Sequence, residues 1–207
     1  MTQFYEIHAQ NPQLRLISQA VASVRNGGLI VYPTDSGYAL GCHIGDKKAL
    51  DRIRKIRKLD KSHNFTLVCR DLSELGIYAR VDNTSFRVLK NHTPGPYTFI
   101  LRASPEVPNR LQHPKRKTIG IRVPDSPIAL ALLEALGEPL MSTSLILPEE
   151  TSALADPEEI YEKLKGKVDL VINGGFVSDQ PTSVIDMLDG FPKVSRYGAG
   201  NPEAFES

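Results

Sequence analysis

An α/β fold with a mixed sheet covered by helices is the architecture this sequence predicts, and three observations carry it. Short continuous apolar runs of strand length alternate with longer segments whose apolar residues recur at helical spacing. The 15 glycines and 15 prolines fall singly or in pairs between those segments, as turn residues do. The chain closes on two strand-like runs joined by a tight turn, which puts an antiparallel pair into a sheet that alternation alone would make parallel. With 207 residues and no linker-like stretch, residues 1–207 are expected to form one domain.

The first helix is predicted over Pro12 to Asn26. Asn11 is a cap residue, Pro12 suits the first turn, Leu14, Ile17, Ala20, Val21 and Val24 share one face, and Gly27-Gly28 ends it. Leu29 to Pro33 and Ala39 to Ile44 are apolar runs expected of buried strands, separated by a turn at Thr34 to Gly37. Asp46 opens a helix with Ala49, Leu50, Ile53 and Ile56 on its apolar face. A strand at Phe65 to Cys69, helical patterns at Leu72 to Tyr78 and Ser85 to Leu89, and a strand at Tyr97 to Leu101 follow, the last after the rigid turn Thr93-Pro94-Gly95-Pro96. Thr118 to Pro124 is read as a strand, Asp125 as the cap of a helix from Ser126 to Leu136, and Leu140 to Ser142 as another strand. Asp156-Pro157-Glu158-Glu159 starts a helix that Gly166 ends, before the strand Val168 to Asn173. Ser183 to Leu188 and Lys193 to Tyr197, joined through Asp189-Gly190, form the closing hairpin.

Composition removes several function classes. The N-terminal residues lack the charged start and apolar run of a signal peptide, and no stretch approaches the roughly 20 apolar residues of a membrane span, so a soluble, cytoplasmic protein without a membrane partner is expected. Cys42 and Cys69 lie on predicted strands and give neither a disulfide framework nor a zinc site. There is no GxSxG, HExxH, GxxxxGK[ST] or GxGxxG motif, which removes the usual routes to covalent catalysis, metal-assisted hydrolysis and phosphate-loop binding. No dedicated metal site is expected.

Net charge is only +1, yet charge is unevenly spread. Lys47, Lys48, Arg52, Arg54, Lys55, Arg57, Lys58 and Lys61 face two acids, Asp51 and Asp60, within one segment, and Lys115, Arg116, Lys117 and Arg122 form a second basic group. Such asymmetry fits an anionic partner as well as it fits a solvated helix face. Polar residues gather at strand ends, where open α/β sheets bind ligands: Thr34, Asp35 and Ser36 after one strand, Ser142, Thr143 and Ser144 after another. Arg122 lies within an apolar strand, a costly position unless an anion or carboxylate meets it, and it points to a phosphate or carboxylate ligand.

At these residues the sequence resembles the YrdC/Sua5/YciO family. Pro33, Thr34, Asp35, Tyr38, Leu40 and Gly41 match its PTDTVYGLG segment, Lys55-Ile56-Arg57 its KxR, Pro94-Gly95-Pro96-Tyr97-Thr98 its PGPxT, and Ile119 to Pro124 its GxRxP strand. Ser142-Thr143-Ser144 resembles the start of STSAN, Thr182 to Asp186 resembles STVVD, and Arg196 with Gly198 resembles the closing RxG. His63 and Asn64 beyond the KxR are most similar to the YciO branch. The resemblance implies a twisted open mixed sheet with flanking helices, the YrdC-like fold, around a basic concave surface. It also implies synthesis of L-threonylcarbamoyl-AMP from L-threonine, bicarbonate and ATP for tRNA threonylcarbamoyladenosine modification, with Mg2+ carried by the ATP. Lys55, Arg57 and Ser144 would then serve catalysis, while Thr34, Arg122, Ser142, Thr143, Ser183 and Arg196 would bind threonine or nucleotide.

Two positions depart from the family. Ile146 stands where the synthases carry an asparagine, and an apolar side chain cannot donate to phosphate as an amide does. Gly37-Tyr38-Ala39 replaces VYG. The expectation is a retained nucleotide cavity in which synthesis is weakened, turned towards hydrolysis of the adenylate, or lost. The alternative is a non-catalytic protein that binds double-stranded RNA or tRNA, with Arg54, Lys58, Lys115, Arg116 and Lys117 on the phosphates.

Overall fold

Ten strands form one mixed sheet in the computed structural model, which describes residues 1–206. The strands are β1 (Gln3–Glu6), β2 (Ile30–Thr34), β3 (Gly37–His43), β4 (Thr66–Val68), β5 (Tyr97–Arg102), β6 (Thr118–Arg122), β7 (Leu140–Ser144), β8 (Leu170–Asn173), β9 (Ser183–Asp186) and β10 (Lys193–Arg196). Their spatial order is β1-β8-β2-β3-β7-β4-β6-β5-β9-β10. Pairs β1/β8, β2/β8, β4/β6 and β5/β9 are parallel, and the other five are antiparallel, including the expected closing hairpin β9/β10.

Six helices intervene: α1 (Leu14–Arg25), α2 (Lys47–Arg57), α3 (Leu72–Tyr78), α4 (Asn83–His92), α5 (Pro127–Leu136) and α6 (Pro157–Leu164). Their local signals are those the sequence carries, with three corrections. Helix α1 starts at Leu14 after Gln13, which makes no side-chain cap, so Asn11 is not the cap. Ser126, not Asp125, caps α5, its hydroxyl accepting from the Ala129 N–H at 3.3 Å. Strand β1 has no counterpart in the sequence reading. Four residues of half-exposed edge strand contain no apolar run, and their strand conformation comes from pairing with β8.

The two faces of the sheet are covered unequally. Helices α2, α3, α4 and α6 bury Leu50, Ile53, Leu75, Leu89, Ile160 and Leu164 against Val31, Leu40, Leu67, Phe99 and Ile121. On the other face, α1 and α5 bury Ile17, Val21, Val24, Leu132 and Leu133 against Ile30, Tyr32, Val68, Leu140 and Ile172. Among the described residues no further helix extends that second layer over β6, β5 and β9. Because successive side chains of a strand point to opposite faces, the residues that alternate with the core there look into an open trough. Gly41, Ser142, Thr66, Gly120 and Ile100 stand side by side in one row across five strands. Glycine, serine and threonine at four of these five positions, all but Ile100, keep the row shallow. A Cβ on Gly120 would lie 3.2 Å from Thr66 Oγ1 and 3.3 Å from a Thr98 methyl, so even alanine would crowd the floor.

Asp169, just before β8, ties the layers together at the other end. Its Oδ2 accepts from the Leu29 N–H at 2.7 Å and from Arg52 Nη1 at 2.6 Å, while Arg52 Nη2 donates to the Lys167 carbonyl at 2.9 Å. Burial alone would raise the carboxyl pKa, but these two hydrogen bonds outweigh it and hold the group below its ordinary value. A depressed carboxylate contributes stability that is present above its unfolded pKa and is lost as pH falls through the folded one. Asp169→Ala is therefore expected to cost about 1–3 kcal/mol in urea unfolding at neutral pH, chiefly by orphaning the Leu29 N–H. The gap to the unmodified protein should narrow below the ordinary carboxylate pKa.

Candidate functional site

The open trough deepens into a cavity of about 260 Å³. Its floor is the sheet itself: Thr66 and Val68 of β4, Gly120 and Arg122 of β6, Thr98 and Ile100 of β5, and Val184 of β9. Tyr32, Thr34 and Ala39 from β2 and β3, together with Ser142, Thr143 and Ser144 of β7, form one wall. Arg57 at the end of α2, His63 and Asn64 after it, Ile146, Thr182 and Arg196 close the rest.

Three guanidinium groups enter this space, and they differ in one respect. Arg122, 5 % exposed, meets the Asp35 carboxylate through Nη2 and donates from Nη1 to Ser36 Oγ at 2.8 Å. Asp35 also accepts from the Asp125 N–H at 3.0 Å. The anion that the position of Arg122 requires is thus within the chain, so this arginine by itself does not call for a ligand. Its Nε is buried and meets no hydrogen-bond partner among the described residues.

Arg57 and Arg196 have no such counterion: among the described residues no carboxylate lies within 4 Å of either. Arg57 is held by neutral acceptors, Nε on the Ile146 carbonyl at 2.8 Å and Nη1 on Thr143 Oγ1 at 2.5 Å. Arg196 donates from Nε and Nη2 to the Thr182 carbonyl at 3.0 and 2.8 Å, and from Nη2 to Thr182 Oγ1 at 3.0 Å. Burial, with repulsion from Arg196, brings the Arg57 pKa down to about 10, and burial lowers that of Arg196 too. Two oriented, uncompensated cations in one cavity form a receptor for an anion.

The hydroxyls are largely committed. Thr34 Oγ1 donates to the Gly37 carbonyl at 2.5 Å and accepts from the Ser36 N–H at 3.1 Å, so it braces the turn between β2 and β3. Ser142 Oγ lies 2.7 Å from the Tyr32 hydroxyl and donates to the Leu40 carbonyl at 2.8 Å. Thr98 and Thr182 hydroxyls pair at 2.8 Å. Gly37 explains part of the altered loop: its φ is +104°, and a Cβ there would meet Ala153 Cβ at 2.7 Å.

Of the residues that the sequence singles out, Thr34, Arg57, Arg122, Ser142, Thr143, Ser144 and Arg196 line this cavity. Lys55 does not. It lies with Ile56, Lys58, Leu147 and Leu164 along a separate groove beside α6, because a residue two positions before Arg57 on a helix points to another side. Ser183 is fully buried and turned from the cavity, with its hydroxyl donating to the Gly200 carbonyl at 2.5 Å. Arg54 leans over the Phe65 ring at 5.4 Å and toward Asp51, so it is not a free surface cation. Lys58, Lys115, Arg116 and Lys117 are exposed. The sequence reading missed Thr66 and the partnership of Asp35 with Arg122, and it quoted Thr98 as part of a motif without assigning it to the site. Among the described residues no group of three His, Cys, Asp or Glu side chains could hold a metal ion, and no helix is long and apolar enough to cross a membrane.

Comparison with known proteins brings the same family to this cavity. The family model for Sua5, YciO and YrdC, described as telomere recombination, matches residues 22–198. YciO of Escherichia coli strain K12 is 60 % identical over 205 residues, covering 99 % of this chain and all of its own, and the crystal structure of E. coli YciO superposes with a TM-score of 0.96. A threonylcarbamoyl-AMP synthase of Buchnera aphidicola is 30 % identical over 178 residues, 84 % of this chain and 99 % of that one. Sua5 of P. abyssi complexed with L-threonine shares the fold with a TM-score of 0.87 at 24 % identity, over 95 % of this chain and 58 % of that one.

The difference in pairing has a measurable consequence. Asp35→Ala leaves Arg122 buried without its counterion and is expected to cost about 3–5 kcal/mol in urea unfolding. Arg196→Met orphans no carboxylate and loses only its hydrogen bonds to Thr182, so it should cost less in the same assay, about 1–2 kcal/mol.

Proposed function

Because the chain belongs to the Sua5/YciO/YrdC family, and its cavity carries two guanidinium groups without a counterion, we propose that it binds ATP or an acyl-adenylate of the L-threonylcarbamoyl-AMP type, in connection with tRNA threonylcarbamoyladenosine modification. The pairing pattern around Arg57 and Arg196 carries this reading. Both side chains are held by neutral oxygens and keep further N–H donors for a phosphate. Magnesium, where ATP is the ligand, travels with the triphosphate. The apolar Ile146 beside Arg57 offers the phosphate no amide, which favours binding of a formed adenylate over its synthesis. L-threonine and bicarbonate are therefore secondary ligands in this reading.

Each guanidinium–phosphate contact is worth about 1.5–3 kcal/mol, so Arg57→Met and Arg196→Met should each weaken AMP binding by roughly tenfold to a hundredfold in calorimetry. Lys55→Met should leave it unchanged. Equal losses at all three positions would contradict the assignment.

A second reading, recognition of structured RNA, has support from exposed Lys58, Lys115, Arg116 and Lys117, which among the described residues have no carboxylate within 4 Å. Phosphate contacts of this kind release counterions, so duplex RNA affinity should fall steeply between low and physiological salt, and a variant neutral at Lys115, Arg116 and Lys117 should show a shallower slope. Salt-independent binding, or none at low salt, removes RNA from the partners.

A further inference from the structure

We propose that His63 is the acid–base residue of this cavity and that the bound acyl-adenylate is hydrolysed there, water replacing the acceptor; this rests on the nucleotide reading above. The side chains that line the cavity leave little choice of proton acceptor. Tyr32 is fully buried and its pKa is pushed up to about 12; the guanidinium groups of Arg57, Arg122 and Arg196 donate hydrogen bonds and accept none; Asn64 and the aliphatic hydroxyls do not titrate near neutrality. His63 alone among the lining residues can exchange a proton at physiological pH.

The imidazole is placed for this. It stands edge-on to Phe65 with ring centroids 5.4 Å apart, which fixes the ring plane, and its Nε2 lies 3.5 Å from Thr143 Oγ1, the hydroxyl that also accepts from Arg57. The proton acceptor and a phosphate-binding cation thus share one threonine. The charges that face it are Arg57 and Arg54 from α2, Arg196 from β10 and Asp60 from the intervening loop. Burial first, then the arginines, outweigh Asp60 and lower the His63 pKa, so the ring is neutral at pH 7 and available as a base. An anionic phosphate bound between the arginines offsets their effect and raises that pKa, which strengthens the base only when substrate is present.

In the step proposed, the oxygen of water bonds to the acyl carbon as its proton passes to the His63 imidazole. The bond between that carbon and the bridging oxygen breaks, and the electron pair leaves on the phosphate of AMP beside Arg57 and Arg196. The imidazolium then releases its proton to solvent, so the net reaction is adenylate plus water to AMP plus the free carboxylated amine. The loss of an amide at Ile146 does not obstruct this direction, because the phosphate is here a leaving group rather than the centre of attack.

The test uses the full chain and L-threonylcarbamoyl-AMP, with AMP release and AMP binding measured side by side. The unmodified protein should hydrolyse the adenylate at a rate that rises with pH to a plateau through one ionisation. His63→Ala should lose about a hundredfold or more, with partial recovery in added imidazole, and His63→Gln should lose the pH profile while AMP affinity stays within about twofold. Intact AMP binding with an unchanged rate in His63→Ala, or no hydrolysis by the unmodified protein, overturns the assignment of His63. Absence of AMP binding by the unmodified protein overturns the nucleotide reading instead, and this proposal with it.

Discussion

Positive charge is costly to hold away from water, and a fold keeps it there only against a counterion or for a ligand. The sheet contains both cases within one cavity. Arg122 on β6 is neutralised by Asp35 across the end of the sheet, and this pair positions the turn between β2 and β3 that forms one wall. Arg57 and Arg196 are aimed into the same cavity by carbonyl and hydroxyl oxygens that orient them but cancel no charge. The rest of the site follows from that imbalance.

The imbalance exists because one face of the sheet is covered over only part of its width. Helices α1 and α5 lie over β8, β2, part of β3 and the ends of β7 and β4, while β6, β5 and β9 turn their alternate residues outward. On a covered face those residues would have to be large and apolar. Here Val68, Ile100 and Val184 are interleaved with Thr66, Thr98, Gly120 and Ser142, whose small size leaves a hollow and whose three hydroxyls make it polar. The core on the opposite face, with Leu67, Phe99 and Ile121 on the same strands, supplies the rigidity that a site built on strands requires.

Much of this was legible in the sequence, and the gaps have physical causes. Helices with strong caps and closed apolar faces, such as α2 after Asp46 and α6 after Asp156, stand where periodicity puts them, since local hydrogen bonds and burial agree there. Strand β1 escaped because its conformation comes from its neighbour rather than from its own four residues. At the site, motif order brought Thr34, Arg57, Arg122, Ser142 to Ser144 and Arg196 together, but it could not tell which arginine carries its own counterion, since Asp35 and Arg122 are 87 positions apart in the chain. Lys55 and Ser183 lie outside the cavity for a simpler reason. A motif names residues, and helix or strand periodicity then sends alternate ones to opposite sides.

The account stands on Arg57 and Arg196 as an anion receptor, and a crystal structure of the protein with AMP tests that most directly. The account predicts the phosphate within hydrogen-bond distance of both guanidinium groups, with Arg122 still on Asp35 and Lys55 remote. A phosphate seated in the Lys55–Lys58 groove, or one that draws Arg122 away from Asp35 while Arg57 and Arg196 remain on their carbonyls, would contradict it.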